Sequence, residues 1–312
     1  MKPEPASPRA RRARGRGGEG DLSEQGFAFL LLSPAAALIV IVILVPLGIT
    51  FAYTLIDMNL LSDSKGRFSG LSNYAAVLGS SWFWESLGRT LYFTFVSLAL
   101  ETVLGLLMAL LLAGEFPGVG LLRALVILPW AIPTNVSAAL WKWILHPDYG
   151  ALNALLSWMG LIKEYHAWLG QPWLAMNMVI LADVWKMAPY SAIFFLAALQ
   201  FINRSLYEAA RIDGAGVFRR FRYVTFPHLV PTLLVVLVMR SMEKFKAFDL
   251  FYIMTKGGPA NGTKVLTYDA YLRGFNNLDY SAAATISYVI AFMVLALTVV
   301  YLRVGRQEDI HD

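Results

Sequence analysis

Five charged side chains, Arg240, Glu243, Lys244, Lys246 and Asp249, fall in a stretch that the apolar pattern around them places inside a membrane. From Pro231 only the nine residues through Met239 are free of charge. Nine residues of helix cover about 13 Å, against roughly 30 Å of hydrocarbon. A span built here must take the charges in, and each one facing lipid at mid-depth costs on the order of 3 kcal/mol. They therefore face protein, water or one another. Helical spacing sorts them. Arg240, Glu243, Lys244 and Ala247 follow i, i+3, i+4, i+7 and share one face. Lys246 and Asp249, three apart on another face, are expected to pair toward a neighbouring helix. Asp183, Lys186, Met187 and Tyr190 repeat the first spacing, and Trp130 and Thr134 flank a proline, with Ser137 and Trp141 one and two turns on. Such faces can line a polar passage, relay protons or hold helices together as ion pairs. Three basic residues against two acids leave room for an anionic solute. Glu101, alone in its apolar stretch, reads as a buried structural acid or an interfacial contact.

The elements that position these residues follow from length and composition. Of 312 residues, 57% are apolar and 15% charged, with no cysteine. A soluble protein carries about 25% charged residues, so this chain belongs in lipid. Without cysteine, disulfides, thiol catalysis and cysteine metal sites are excluded. A crossing helix needs about 20 apolar residues, and six such spans are expected, at roughly 28–52, 88–113, 121–145, 174–200, 229–254 and 281–303. The first is too long for the core of a signal peptide and is expected to be retained. With the N-terminus inside, the inner segments hold fourteen basic residues and the outer ones seven, which favours both termini on the cytoplasmic side. The tail 1–26, with RRARGRGGEG, is expected to be a disordered positive anchor rather than a nucleic-acid arm, and 304–312 forms a second cytoplasmic tail. Outer segments 53–87, 146–173 and 257–280 are too short for a separate domain. They carry an aromatic belt at Trp82–Trp84, a surface helix, and the turn cluster GGPANGT.

Between spans four and five lies a basic loop, Glu208 to Pro227, reading EAARIDGAGVFRRFRYVTFP. Glu208, Ala209 and Ala210 favour helix, and small alanines allow close seating in a groove. Asp213 and Gly214 break the pattern, and Gly214 and Gly216 can take the positive φ that redirects the chain. A second helix is expected, with Phe218, Phe221 and Val224 as an apolar stripe, Arg219, Arg220 and Arg222 around it, and Pro227 stopping it. An apolar and basic knuckle of this kind suits helix-in-groove docking. An amphipathic helix lying on anionic lipid would explain the arginines but not the EAA head or the DGAG break.

This loop resembles the EAA loop of ATP-binding-cassette (ABC) import permeases, whose pattern falls on Glu208–Ala210, Gly214, Val224, Phe226 and Pro227. The family usually has isoleucine and leucine where this chain has Val224 and Phe226, and both remain apolar. LPWAIP at 128–133, DVWKMAPY at 183–190, ALQFI before the loop and FDLFYIMTKGGP at 248–259 are similar to the carbohydrate-uptake branch, which includes maltose-, trehalose- and glycerol-phosphate-type permeases. The resemblance runs from about 27 to 303. It implies an all-α integral membrane protein of the type I ABC importer permease fold, with a permease domain at 27–303 and a coupling loop at 201–228. It also implies that Trp130, Thr134, Asp183, Lys186, Met187, Tyr190, Arg240, Glu243, Lys244 and Ala247 line the substrate pathway. Glu208, Ala209, Ala210, Asp213, Gly214, Phe218, Phe221 and Pro227 would then couple to an ATPase.

The implied assembly sits in the cytoplasmic (inner) membrane. It comprises a second homologous permease, two copies of a cytoplasmic ABC ATPase that binds ATP and Mg, an extracytoplasmic solute-binding protein and the surrounding lipid, with no nucleic acid. This chain is expected to carry no catalytic residue, metal or cofactor of its own. A phosphate-binding loop needs G-x4-G-K-[ST], and the nearest match, Gly257 to Lys264, has the wrong order. The four histidines show no metal spacing. The cargo expected is a di- or oligosaccharide of the trehalose or maltose type, with glycerol phosphate or a polyol as the alternative. From another class, an ion-coupled transporter could use Asp183, Glu243 and Lys244 as a proton relay, but no internal repeat is evident.

Overall fold

The computed structural model describes residues 24–61 and 66–308. The tail 1–23, residues 62–65 and residues 309–312 lie outside the described residues, so the expectations for them are not addressed by it. The chain divides at Thr50 and Phe51 into two units. In the first, α1 (Glu24–Ile39) passes through a π-helical turn, Val40–Leu44, into α2 (Val45–Leu55), within which the division falls. Residues 31–49 expose apolar side chains on every side, as a helix in hydrocarbon does.

The second unit continues through α3 (Ser72–Leu78), the long α4 (Ser81–Leu112), α5 (Val119–Ala131), α6 (Thr134–Ile144) and α7 (Ala151–Trp158). Then come α8 (Pro172–Gln200), α9 (Arg204–Ile212), α10 (Val217–Arg220) and α11 (Phe226–Phe245). The chain closes with α12 (Asp249–Met254), α13 (Leu266–Tyr271) and α14 (Tyr280–Glu308). Among the described residues five helices are long and apolar enough to cross a membrane, and α5 with α6 forms a sixth only if the pair, bent by 95°, counts as one.

That bend corrects the expectation of a straight span at 121–145. Ile132, which precedes Pro133, is extended at φ −72°, ψ 130°. The proline ring disfavours helical backbone in the residue before it, and so the helix must restart at Thr134. Span five also departs from a continuous 229–254. The helix ends at Phe245, where the amides of Lys246 and Ala247 bond the carbonyls of Glu243 and Lys244, each at 3.1 Å. These tight bonds close the last turn. The Ala247 carbonyl takes the Thr267 hydroxyl at 2.6 Å, and the Phe248 ring packs against Tyr252 and Tyr271 at 5.3 and 5.1 Å. Ala247 is thus in the break and not one turn further along the same helix. Lys246 and Asp249 fall on opposite sides of it, both exposed and without an ion pair to each other.

α4 and α8 form the most extensive helix pair, and α11 packs on both. Gly105 permits the approach. A Cβ there would lie 2.8 Å from Ser191 Cβ and 3.0 Å from the Ala188 carbonyl. Gly105→Val should therefore cost about 1–3 kcal/mol through overpacking and lower the midpoint of thermal unfolding in detergent. An unchanged midpoint would contradict this tight contact. On the segment expected outside, Asn153 is fully buried and ties its loop together, donating to the carbonyls of His146, Pro147 and His166 and accepting from Trp168 Nε1 at 2.8 Å. The aromatic belt is only partly one. Trp84 is exposed, but Phe83 is core, and Trp82 lies under the Arg273 guanidinium at 3.3 Å. In the GGPANGT turn, Asn261 has φ +59°, as an Asn-Gly turn requires.

Candidate functional site

Three helices converge on one acid. Glu101 of α4 has a side chain with no solvent exposure. Its Oε1 accepts from Ser191 Oγ at 2.8 Å and from Arg240 Nε at 2.6 Å. Its Oε2 accepts from a second Arg240 nitrogen at 3.2 Å and lies 2.8 Å from Lys244 Nζ. A carboxylate offers about four acceptor sites, and all four are engaged, from α8 and α11. Arg240 also pairs with Glu243, and Lys244 with Asp183. Arg240 and Lys244 are each 2% exposed. At such depth an unpaired charge is prohibitive, whereas a saturated network is tolerated.

Around this core lie groups with fewer partners. Glu243 is 51% exposed while held by Arg240. Lys186 is buried. Its Nζ donates to the Trp130 carbonyl at 3.3 Å, and no carboxylate lies within 4 Å among the described residues. The Trp130 ring is 41% exposed and sits 5.7 Å from that of Tyr190, which in turn lies 5.5 Å from the Arg240 guanidinium. The Pro133 break ends α5 just beyond Trp130, leaving that carbonyl free for Lys186.

Of the ten positions expected to line the pathway, Trp130, Asp183, Lys186, Tyr190, Arg240, Glu243 and Lys244 meet in one cluster. Thr134, Met187 and Ala247 have no side-chain hydrogen bond, ion pair or ring contact to it among the described residues; Ala247 is removed by the break in span five. Glu101 was missing from the expected set. The available signal was a lone acid in an apolar span. Counting it, three carboxylates stand with three cations in the cluster, while the two lining faces by themselves hold three cations and two acids.

The loop at 201–228 forms a separate surface. Asn203 caps α9, its side chain accepting from the Ser205 amide at 3.0 Å. Glu208 and Ala209 are exposed, Ala210 is half-buried, and Asp213 and Gly214 are exposed at the turn. Gly214 has φ +75°, whereas Gly216 has φ −66° and needs no glycine for its backbone. Ile212 and Phe218 are 87% and 78% exposed, while Phe221 and Val224 are half-buried, so the expected stripe divides between outer and inner faces. Pro227 does not stop the helix. Val217–Phe245 runs on as one helix, through a π-helical turn at Phe221–Thr225 in which the Phe226 amide bonds the Phe221 carbonyl. The wider turn relieves the clash and missing donor that proline brings.

Comparison with known proteins shows the family. The family of binding-protein-dependent transport system inner membrane components matches residues 101–307. The chain belongs to that family. This ABC importer permease is 39% identical over 91% of its length to the trehalose/maltose transport system permease protein MalF of Thermococcus litoralis, covering 95% of that protein. It is 33% identical to the sulfoquinovosyl glycerol transport system permease protein SmoG of Agrobacterium fabrum, over 93% of each chain. Its fold matches a bacterial ABC transporter involved in import of the acidic polysaccharide alginate, with TM-score 0.78 and 25% identity, over 90% of this chain and 95% of that one. The resemblance to the carbohydrate-uptake branch holds along most of the permease, and the ion-coupled alternative has no support.

Proposed function

We propose that this permease is one of two subunits lining the path of an ATP-driven importer for a neutral di- or oligosaccharide of the trehalose or maltose type. The relatives are named for a neutral disaccharide, a sulfonated glycoside and an acidic polysaccharide, so family alone leaves the charge of the cargo open. The observation that carries the neutral reading is the charge balance of the cluster, three carboxylates against three cations, beside the open Trp130 ring. An aromatic face next to a few polar groups is the usual composition of a site that orients a small ligand. Glu243, half-exposed and fixed by Arg240, supplies an acceptor for hydroxyls, and Lys186 supplies a donor.

In this reading six spans cross the inner membrane with both termini cytoplasmic, in keeping with the bias of basic residues. The exposed knuckle at 208–227 seats in a separate ATPase, which binds ATP and Mg. A solute-binding protein delivers cargo from outside, as the family's description implies. Closure of the ATPases moves the knuckle and rocks the spans, so that access alternates. A second reading, glycerol phosphate or another small anion, is favoured by Lys186, which has no carboxylate partner. Vesicles containing the assembled complex decide between them: ATP-dependent uptake of labelled trehalose or maltose, with none of glycerol phosphate, is expected. Trp130→Ala should reduce that uptake at least tenfold. Preferential uptake of the phosphate would favour the second reading.

A further inference from the structure

We propose that Tyr207 and Thr225 form the joint that transmits movement of the coupling helix to span five; this rests on the coupling role just proposed. Tyr207 precedes Glu208 on α9, and a step of one residue turns its ring away from the face that Glu208 presents. Glu208 is exposed while Tyr207 is half-buried. The Tyr207 hydroxyl meets Thr225 Oγ1 at 2.9 Å. Thr225 is 5% exposed and closes the π-helical turn at the root of α11.

The need for such a joint follows from the backbone. Between α9 and α10 the chain passes through Asp213–Gly216, with Gly214 at φ +75°. A glycine turn of this kind bends easily, so a push on α9 carried only by the main chain would be absorbed there. The hydroxyl pair bypasses the turn, bridging eighteen positions. Among the described residues it is the one side-chain hydrogen bond between α9 and the helix Val217–Phe245. The other side-chain tie between α9 and the rest of the unit, Arg204 to Glu115 at 2.5 Å, is more than four-fifths exposed on both sides, and such surface pairs hold weakly. Beyond Thr225 the helix is uninterrupted to Arg240, about 22 Å on at 1.5 Å per residue. There it meets Glu101 and the α4–α8 pair. A displacement of α9 thereby reaches the charge cluster through one rigid rod.

Tyr207→Phe and Thr225→Val each remove one hydroxyl with little change of shape, and Thr225→Ser restores it. In the reconstituted complex with its ATPase and binding protein, the first two should lower labelled trehalose moved per ATP hydrolysed at least tenfold while the ATPase stays bound. Thr225→Ser should stay within twofold of the parent. Because the chain has no cysteine, labels at Ser205→Cys and His228→Cys report the same joint without any solute. Their separation should hold steady on ATP binding in the parent and shift in Tyr207→Phe. An unchanged separation in that variant, an unchanged trehalose-to-ATP ratio, or loss of ATPase binding in the hydroxyl variants would overturn the proposal. Failure of the parent itself to bind an ATPase would instead remove the coupling role on which it rests.

Discussion

Glutamine in place of Glu101 is expected to bring transport to background and to lower the thermal unfolding midpoint sharply. The carboxylate receives four donors from Ser191, Arg240 and Lys244, all three of them buried. Removing one partner from a buried pair costs about 3–5 kcal/mol, because the other charge is left uncompensated. Here two cations lose it together. Asp183 and Glu243 stay with Lys244 and Arg240, so the cluster becomes net positive. The loss also separates helices, since Glu101 is where α4, α8 and α11 meet. A companion variant distinguishes charge from shape: Glu101→Leu with Arg240→Met should recover much of the midpoint, since apolar replacement of a buried pair is often neutral. A midpoint for Glu101→Gln within a degree of the parent would show that the acid holds nothing together.

Glu208→Lys is expected to abolish transport through a different route, leaving insertion and unfolding unchanged. Glu208 is exposed and makes no ion pair within the chain among the described residues. A surface exchange of that kind moves stability by no more than about 0.5 kcal/mol. If the knuckle docks as proposed, the effect falls on the partner surface, where reversal of charge in a docked pair costs about 2–5 kcal/mol, or roughly 30- to 5,000-fold in affinity. Co-purification with the ATPase and uptake in vesicles are the measurements. Retention of both would remove Glu208 from the coupling surface. Gly214→Pro should act on the same surface by distortion, since proline holds φ near −65° and the native value is +75°.

The pattern of these effects follows how much could be read along the chain. Hydropathy is a local sum, so the apolar spans were legible wherever a helix runs unbroken, as in α4, α8 and α14. The turn at Gly214 was legible too, because a positive φ depends on a few adjacent residues, whereas the helix before it starts at Arg204, a turn ahead of the Glu208 head read from the sequence. The face shared by Asp183, Lys186 and Tyr190 needed only the period of a helix.

Other features depended on groups far apart in sequence. Glu101 was visible as a lone acid, but its donors lie 90 to 143 positions away, and only the close passage of α4 over α8 at Gly105 brings them to it. The end of α11 at Phe245 carries no proline or glycine. It is set by Phe248 entering a cluster of tyrosines and by Thr267 capturing the Ala247 carbonyl, contacts that do not exist until α12 and α13 fold back. Lys246 and Asp249, three apart on paper, lose their common helix for that reason. Residue types along this chain determined that it lies in a membrane and where the exposed 208–227 loop sits. Which charges meet was decided by the tertiary structure, because an ion pair in a medium without water forms only where packing delivers both partners.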